Sequence, residues 1–130
     1  MEILQEDKDL VLKRLDQIKR ELNDLTDEFR QTLSESSETW HDNSPWDNAK
    51  AKEAVLLFEQ ERLQRIIKEY RVIDTKSQSP LGKKYEADFN GKRVKVYLAG
   101  DFSMRTGEMI EGHMVVTKNS PVGEKILLAN

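Results

Sequence analysis

Cysteine is absent from this 130-residue chain, which removes disulfides, thiolate zinc sites and cysteine nucleophiles in one step. The absence fits a cytoplasmic origin, where disulfides are rare. No apolar run approaches the roughly 18–20 residues needed to span a bilayer. The first ten residues, MEILQEDKDL, are acidic where a signal peptide would be basic and then apolar. Glycine is scarce, and nothing resembles a Gly-rich phosphate loop, a nucleophile elbow or a Ser-His-Asp set. The two histidines, His41 and His113, are isolated and lack the spacing of a metal site.

What the chain does have is charge. Asp, Glu, Lys and Arg make up 35% of it, and the mean hydropathy is −0.73. That is too polar for one thick core and suits long helices with solvated faces. The net charge of −3 is unevenly placed. Residues 1–74 carry 18 Asp and Glu against 12 Lys and Arg, whereas residues 75–130 carry 6 against 9. Neither half is basic enough to bind nucleic acid by itself.

Val11, Leu15, Ile18, Leu22, Leu25 and Phe29 recur at alternating steps of four and three. This is a heptad seam, which serves an antiparallel helical hairpin or a parallel dimer equally well. It predicts a helix over about residues 5–34, ending where Ser34, Ser36 and Ser37 weaken helix propensity. Ser44-Pro45-Trp46-Asp47 has the layout of a capping box and predicts a second helix running to about Tyr70 or Val72. The apolar residues of that helix are Ala51, Ala54, Val55 and Phe58, then Leu63, Ile66, Ile67 and Tyr70. The step of five between Phe58 and Leu63 reads as a stutter in its seam. Residues 1–74 are therefore expected to be a coiled-coil hairpin with its tip at 35–47.

Residues 74–84 are a polar linker with Ser-Pro and Gly. After it the apolar period changes to two. Tyr85, Ala87 and Phe89, then Val94, Val96 and Leu98, flank Asn90-Gly91, a strong hairpin turn signal. Residues 113–117 read as a third strand and Val122–Ala129 as a short helix. Residues 75–130 thus form a small β-rich domain whose sheet edges are poorly covered.

The stretch 35–49, ESSETWHDNSPWDNA, holds both tryptophans and four acids between two charged helices. Asp42 and Asp47 could share a Mg²⁺ ion, which favours carboxylate oxygens and keeps several waters. A pair this sparse would have to complete a site supplied by another molecule. The plainer roles are a helix cap for Asp47 and a solvated turn for Asp42. Trp40 and Trp46 would either pack on each other or anchor a partner, a role in which Trp is enriched. Lys13-Arg14 and Lys19-Arg20 form a solvated face, or else touch an RNA or DNA phosphate backbone.

Four stretches, taken in order, match one known set of motifs. Asp47-Asn48-Ala49, Ala51 and Lys52-Glu53-Ala54 are similar to E-N-A-x-Y-x-A-A. Arg71-Val72-Ile73-Asp74 resembles A-x-V-I-D. Asn90-Gly91 with Val94 to Gly100 resembles T-G-x-x-V-x-Y-x-I-V-G. Val116 to Gly123, then Leu127-Leu128, resembles I-S-x-x-S-P-L-G-x-A-L-L. On these four stretches, the first of them a tip segment, the chain resembles the GreA/GreB family of bacterial transcription elongation (transcript cleavage) factors.

The resemblance implies an α+β protein: an N-terminal antiparallel two-helix coiled coil, then a small FKBP-like domain with one short helix. The family's pattern continues for two further strands beyond the position of Asn130. The resemblance also implies a cytoplasmic accessory factor that is not itself an enzyme. Its coiled coil would enter the secondary channel of RNA polymerase, near RNA. Asp42 and Asp47 would be the tip acids, with no cofactor of their own beyond Mg²⁺ shared with the polymerase. Asn119, Ser120 and Pro121 fall where the family's docking loop lies.

The tip departs from the family pattern G-D-x-x-E-N-A. Asp42 and Asp47 stand five apart with Pro45-Trp46 between them, and the second acid is Asp. Three readings follow: stimulation of transcript cleavage, channel binding that inhibits or modulates without cleavage, and a helical-hairpin interaction module unrelated to polymerase. A monomer is expected.

Overall fold

The structure is a computed structural model that describes the backbone of residues 1–35 and 44–129, and the side chains of residues 1–31 and 47–129. The chain runs β1 (Glu2–Leu4), α1 (Gln5–Glu35), α2 (Ser44–Glu69), β2 (Arg71–Ile73), β3 (Lys83–Phe89), β4 (Lys92–Ala99), β5 (Met109–Ile110), β6 (His113–Thr117) and α3 (Pro121–Ala129). It falls into two compact units. One comprises residues 12–68, and the other joins residues 1–11 to 69–130.

The helical unit is an antiparallel pair. Arg14 on α1 binds Glu59 on α2 with Nε–Oε1 at 2.7 Å and Nη2–Oε2 at 2.9 Å. Nearer the tip, the Lys50 ammonium lies 5.1 Å from the Phe29 ring centroid. These contacts run in opposite chain directions on the two helices, so the heptad seam is used within one chain. Ile18 and Leu25 are fully buried on α1, with Leu15, Leu22 and Phe29 half-buried between and beyond them.

On α2 the seam differs from the sequence expectation. Val55 and Phe58 are 66% and 72% exposed, whereas Leu56 is buried. The inward positions are Ala49, Glu53, Leu56, Gln60, Leu63 and Ile67, with Ile66 buried beside them. That set has uninterrupted heptad spacing, so there is no stutter. The polar residues Glu53 and Gln60 occupy seam positions and are half-buried. A side chain with an apolar stem and a polar end can do this at the rim of a two-helix interface.

The β unit is built on two sheets. β1 and β2 pair in parallel, with Ile3 opposite Val72 and Leu4 opposite Ile73. The other sheet has the order β3-β4-β6-β5, in which only the β4–β6 pair is parallel. The Asn90-Gly91 hairpin forms as expected. Both turn residues have positive φ (52° and 79°), as a type I′ turn requires. Buried Leu4, Ile73, Leu81, Val96, Leu98, Val115, Val116 and Ile126 form one core.

The sequence expectation put residues 1–74 in the hairpin. The contacts place the first eleven residues and the β2 segment with the β unit instead. The physical reason is that Ile3 and Leu4 are 1% and 0% exposed, and the β1–β2 ladder buries them. Gly100 makes this possible. A Cβ there would lie 2.3 Å from the Glu2 carbonyl oxygen, so only glycine admits β1 at this distance. The same ladder ends α2 at Glu69 and turns Arg71–Ile73, expected at the helix end, into strand.

Candidate functional site

Asp47 sits in the first turn of α2 and is exposed. An acid there faces the unpaired N–H groups of the helix start and the positive end of the helix dipole. No hydrogen bond or ion pair to another described residue engages its carboxylate. Trp40 and Asp42 lie outside the described residues. Trp46 is in the first turn of α2, and its side chain is also outside them. Among the described residues, no three His, Asp or Glu side chains approach closely enough to hold a metal ion. Asp47 fits a Mg²⁺ ion as one oxygen donor among several, the rest having to come from elsewhere.

In each basic pair of α1 the arginine is engaged within the protein and the lysine, Lys13 or Lys19, is exposed. Arg14 is held by Glu59 and lies 3.7 Å from Glu21, and Arg20 pairs with Asp16 at 2.7 Å. The hydrogen bond from Arg14 pulls the Glu59 carboxyl below its ordinary value of 4.5, against the opposing effect of burial. The same bond raises the Arg14 guanidinium.

Asn119, Ser120 and Pro121 meet at the start of α3, but their side chains do different things. Ser120 caps the helix. Its Oγ accepts a bond from the Gly123 N–H at 3.1 Å and donates to the Thr117 carbonyl at 2.6 Å. Pro121 takes the first helical position, where its missing N–H costs nothing. Gly123 lets the helix settle on the end of β6, because a Cβ there would lie 2.2 Å from the Thr117 carbonyl oxygen. Asn119 is exposed and accepts a bond from Thr117 Oγ1 at 2.6 Å. Asn119 and Pro121 are thus presented outward, and Ser120 fixes the loop that presents them.

Sequence reasoning missed two ionic clusters within the β unit, which hold Glu2 of β1 and Asp7 of α1 to the residues that follow β4 and β6. Asp7, with no exposed surface, accepts bonds from Ser103 Oγ at 2.8 Å, Arg105 Nε at 2.9 Å and Arg105 Nη2 at 3.2 Å. Arg105 also lies over the Tyr97 ring, 5.5 Å from its centroid. Burial alone would lower the Arg105 pKa, and the bond and charge of Asp7 reverse that and raise it. In the second cluster, Lys118 Nζ reaches Glu2 at 2.7 Å and Asp101 at 3.3 Å, while Asp101 accepts the Glu2 N–H at 2.6 Å. Asp7 gives no signal in the sequence, since it stands among Glu6 and Asp9 in an acidic helix start.

A long antiparallel helical hairpin, an exposed acid at the start of its second helix and a small β domain closed by a capped helix make up a Gre-factor fold. The structure is similar to the crystal structure of GreA factor homolog 1 (Gfh1) of Thermus thermophilus. The TM-score is 0.53 at 19% identity, covering 95% of this chain and 80% of that one. It is likewise similar to a structure of the transcription factor Gfh1, with a TM-score of 0.50, 22% identity and the same coverage. No family model and no curated protein matches the sequence.

Proposed function

We propose that this chain is a Gre-type transcription factor that binds RNA polymerase and places its helical tip in the secondary channel. The observation that carries the reading is Asp47: an exposed carboxylate in the first turn of α2, with no hydrogen bond or ion pair to another described residue, on the second helix of an antiparallel hairpin. The fold shared with a protein described as a transcription factor supports it. Asn119 and Pro121 would meet the polymerase at the channel rim, and Trp40 and Trp46 would anchor the tip.

In this reading the chain is not itself an enzyme. Asp47 and Asp42 would hold a Mg²⁺ ion together with polymerase groups. Held there, such an ion would contribute water activation and charge stabilisation at the phosphate. The chain's own part is to orient carboxylates. Packing of α2 against α1 along the heptad seam would set the Asp47 backbone position before binding.

Stimulated cleavage of backtracked RNA is the first form of this function. Channel binding without cleavage is the second, and the tip itself favours it. Asp47 is one methylene shorter than Glu, and Pro45-Trp46 intervenes between it and Asp42. A cleavage assay on stalled elongation complexes separates the two. If cleavage is the function, Asp47→Ala slows RNA shortening by about 10–100-fold with polymerase affinity unchanged. If wild type leaves the RNA intact while slowing synthesis, the second form holds. If it neither binds polymerase nor alters transcription, both fail.

A further inference from the structure

The apolar residues of α2 divide between two faces of the helix. Leu56, Leu63, Ile66 and Ile67 belong to the seam with α1. Ala51, Ala54, Val55 and Phe58 are exposed on the other side. Val55 and Phe58 are the two most exposed large apolar side chains among the described residues of the helical unit, at 66% and 72%. The step of five between Phe58 and Leu63 is the change from one face to the other. Ala51, Ala54, Val55 and Phe58 stand at i, i+3, i+4 and i+7, the spacing of the four residues that form one hole in knobs-into-holes packing. Alanine at two of its corners leaves the hole room for a large side chain. The stripe continues at helical spacing in both directions. Asp47 lies four residues before Ala51, and Arg62 and Arg65 lie four and seven after Phe58, all three exposed. A contiguous apolar patch with a charged rim marks an interaction surface.

We infer that this outer face of α2 is a second seam, which takes an α-helix of RNA polymerase. That helix sets a large apolar side chain into the hole and a carboxylate against Arg62 and Arg65. The inference deepens the polymerase reading and rests on it. The occupant's chemistry follows from the stripe. Contacts that recur every three and four residues match the side-chain period of a helix, whereas a strand alternates every two. The exposed guanidinium groups beyond the hole call for acid on the facing surface. Arg65 reaches Glu61 at 3.0 Å along the helix, an exposed pair that a partner carboxylate can replace at little cost. Asp47 lies eleven residues before Phe58, about three full turns, and so on the same side of α2. A helix docked along the stripe would therefore fix the rotation of α2 about its own axis, and with it the side toward which Asp47 is presented. The contact uses residues of the helical unit alone.

Fluorescence anisotropy of the labelled full chain against RNA polymerase core enzyme tests this, with circular dichroism to check folding. Phe58→Ala should raise the Kd by about tenfold or more, as loss of a buried aromatic anchor does. Arg65→Glu should raise it by about tenfold and flatten its dependence on salt. Ala54→Leu keeps the face apolar but fills the hole, and should also weaken binding by about tenfold. Leu57→Ala removes an exposed apolar side chain that lies off the stripe, and should bind like wild type. If wild type binds and Phe58→Ala or Ala54→Leu binds equally well, the inference is overturned and the polymerase reading stands. A wild type that does not bind polymerase ends both. Sedimentation velocity on the chain alone is expected to show no association through this face. A dimer that Phe58→Ala abolishes would assign the stripe to a second copy and overturn the inference.

Discussion

Arg105 grips Asp7 with two nitrogens across 98 positions of chain, and Asp7 has no exposed surface. The pair fastens the first turn of α1 to the loop after β4. A buried carboxylate that loses its cation keeps its desolvation cost without compensation. Replacing Arg105 with Leu would leave Asp7 only the Ser103 hydroxyl. The expected loss is about 3–5 kcal/mol in urea unfolding. Replacing both, Asp7→Leu with Arg105→Leu, should cost less than Arg105→Leu alone, because no charge is then stranded.

The α2 register gives a second prediction, and it runs against the apolar pattern of the sequence. Leu56→Ala empties a buried seam position and should cost about 2–4 kcal/mol. Phe58 is 72% exposed, so Phe58→Ala should change stability by no more than about 0.5 kcal/mol. Chemical denaturation of the two variants side by side reads the difference. Equal losses would return Phe58 to the seam.

Glu59 sets a pH dependence. Its folded-state pKa lies below the ordinary 4.5 because Arg14 binds the ionised form. The stabilisation is therefore complete above about pH 4.5 and is lost as the pH falls through the lowered folded value. Glu59→Gln should cost about 0.5–1 kcal/mol at pH 7, the range for a well-formed, partly exposed pair. The cost should shrink toward zero in acid. Thermal melts of wild type and variant between pH 7 and pH 3 check it, and a cost that does not change with pH would rule out the ionic origin.

Elements with a sustained period were legible from residues alone. The α1 seam, the Asn90-Gly91 hairpin and the third strand, β6, all stand where spacing placed them. The register of α2 was not, because Glu53 and Gln60 occupy seam positions while Val55 and Phe58 do not. Apolar character and burial separate in a two-helix unit, where only a narrow seam of side chains is buried. β1, β2 and β5 were missed because two or three residues carry no measurable period. They exist through tertiary pairing. At the candidate site, the helix start at Ser44-Pro45-Trp46-Asp47 was readable from capping chemistry. Ser120 was read as a docking residue, and its capping bond appears only once β6 and α3 are placed together.

The polymerase reading is tested most directly by where the tip goes. A photoreactive side chain at Asn48, exposed beside Asp47, would be irradiated in a complex with RNA polymerase core enzyme. The account predicts a crosslink to the subunit that carries the catalytic Mg²⁺, at residues lining the secondary channel, and its loss when a known channel-binding factor competes. A crosslink confined to the polymerase's outer surface, or none at a concentration where the two proteins demonstrably bind, would contradict it.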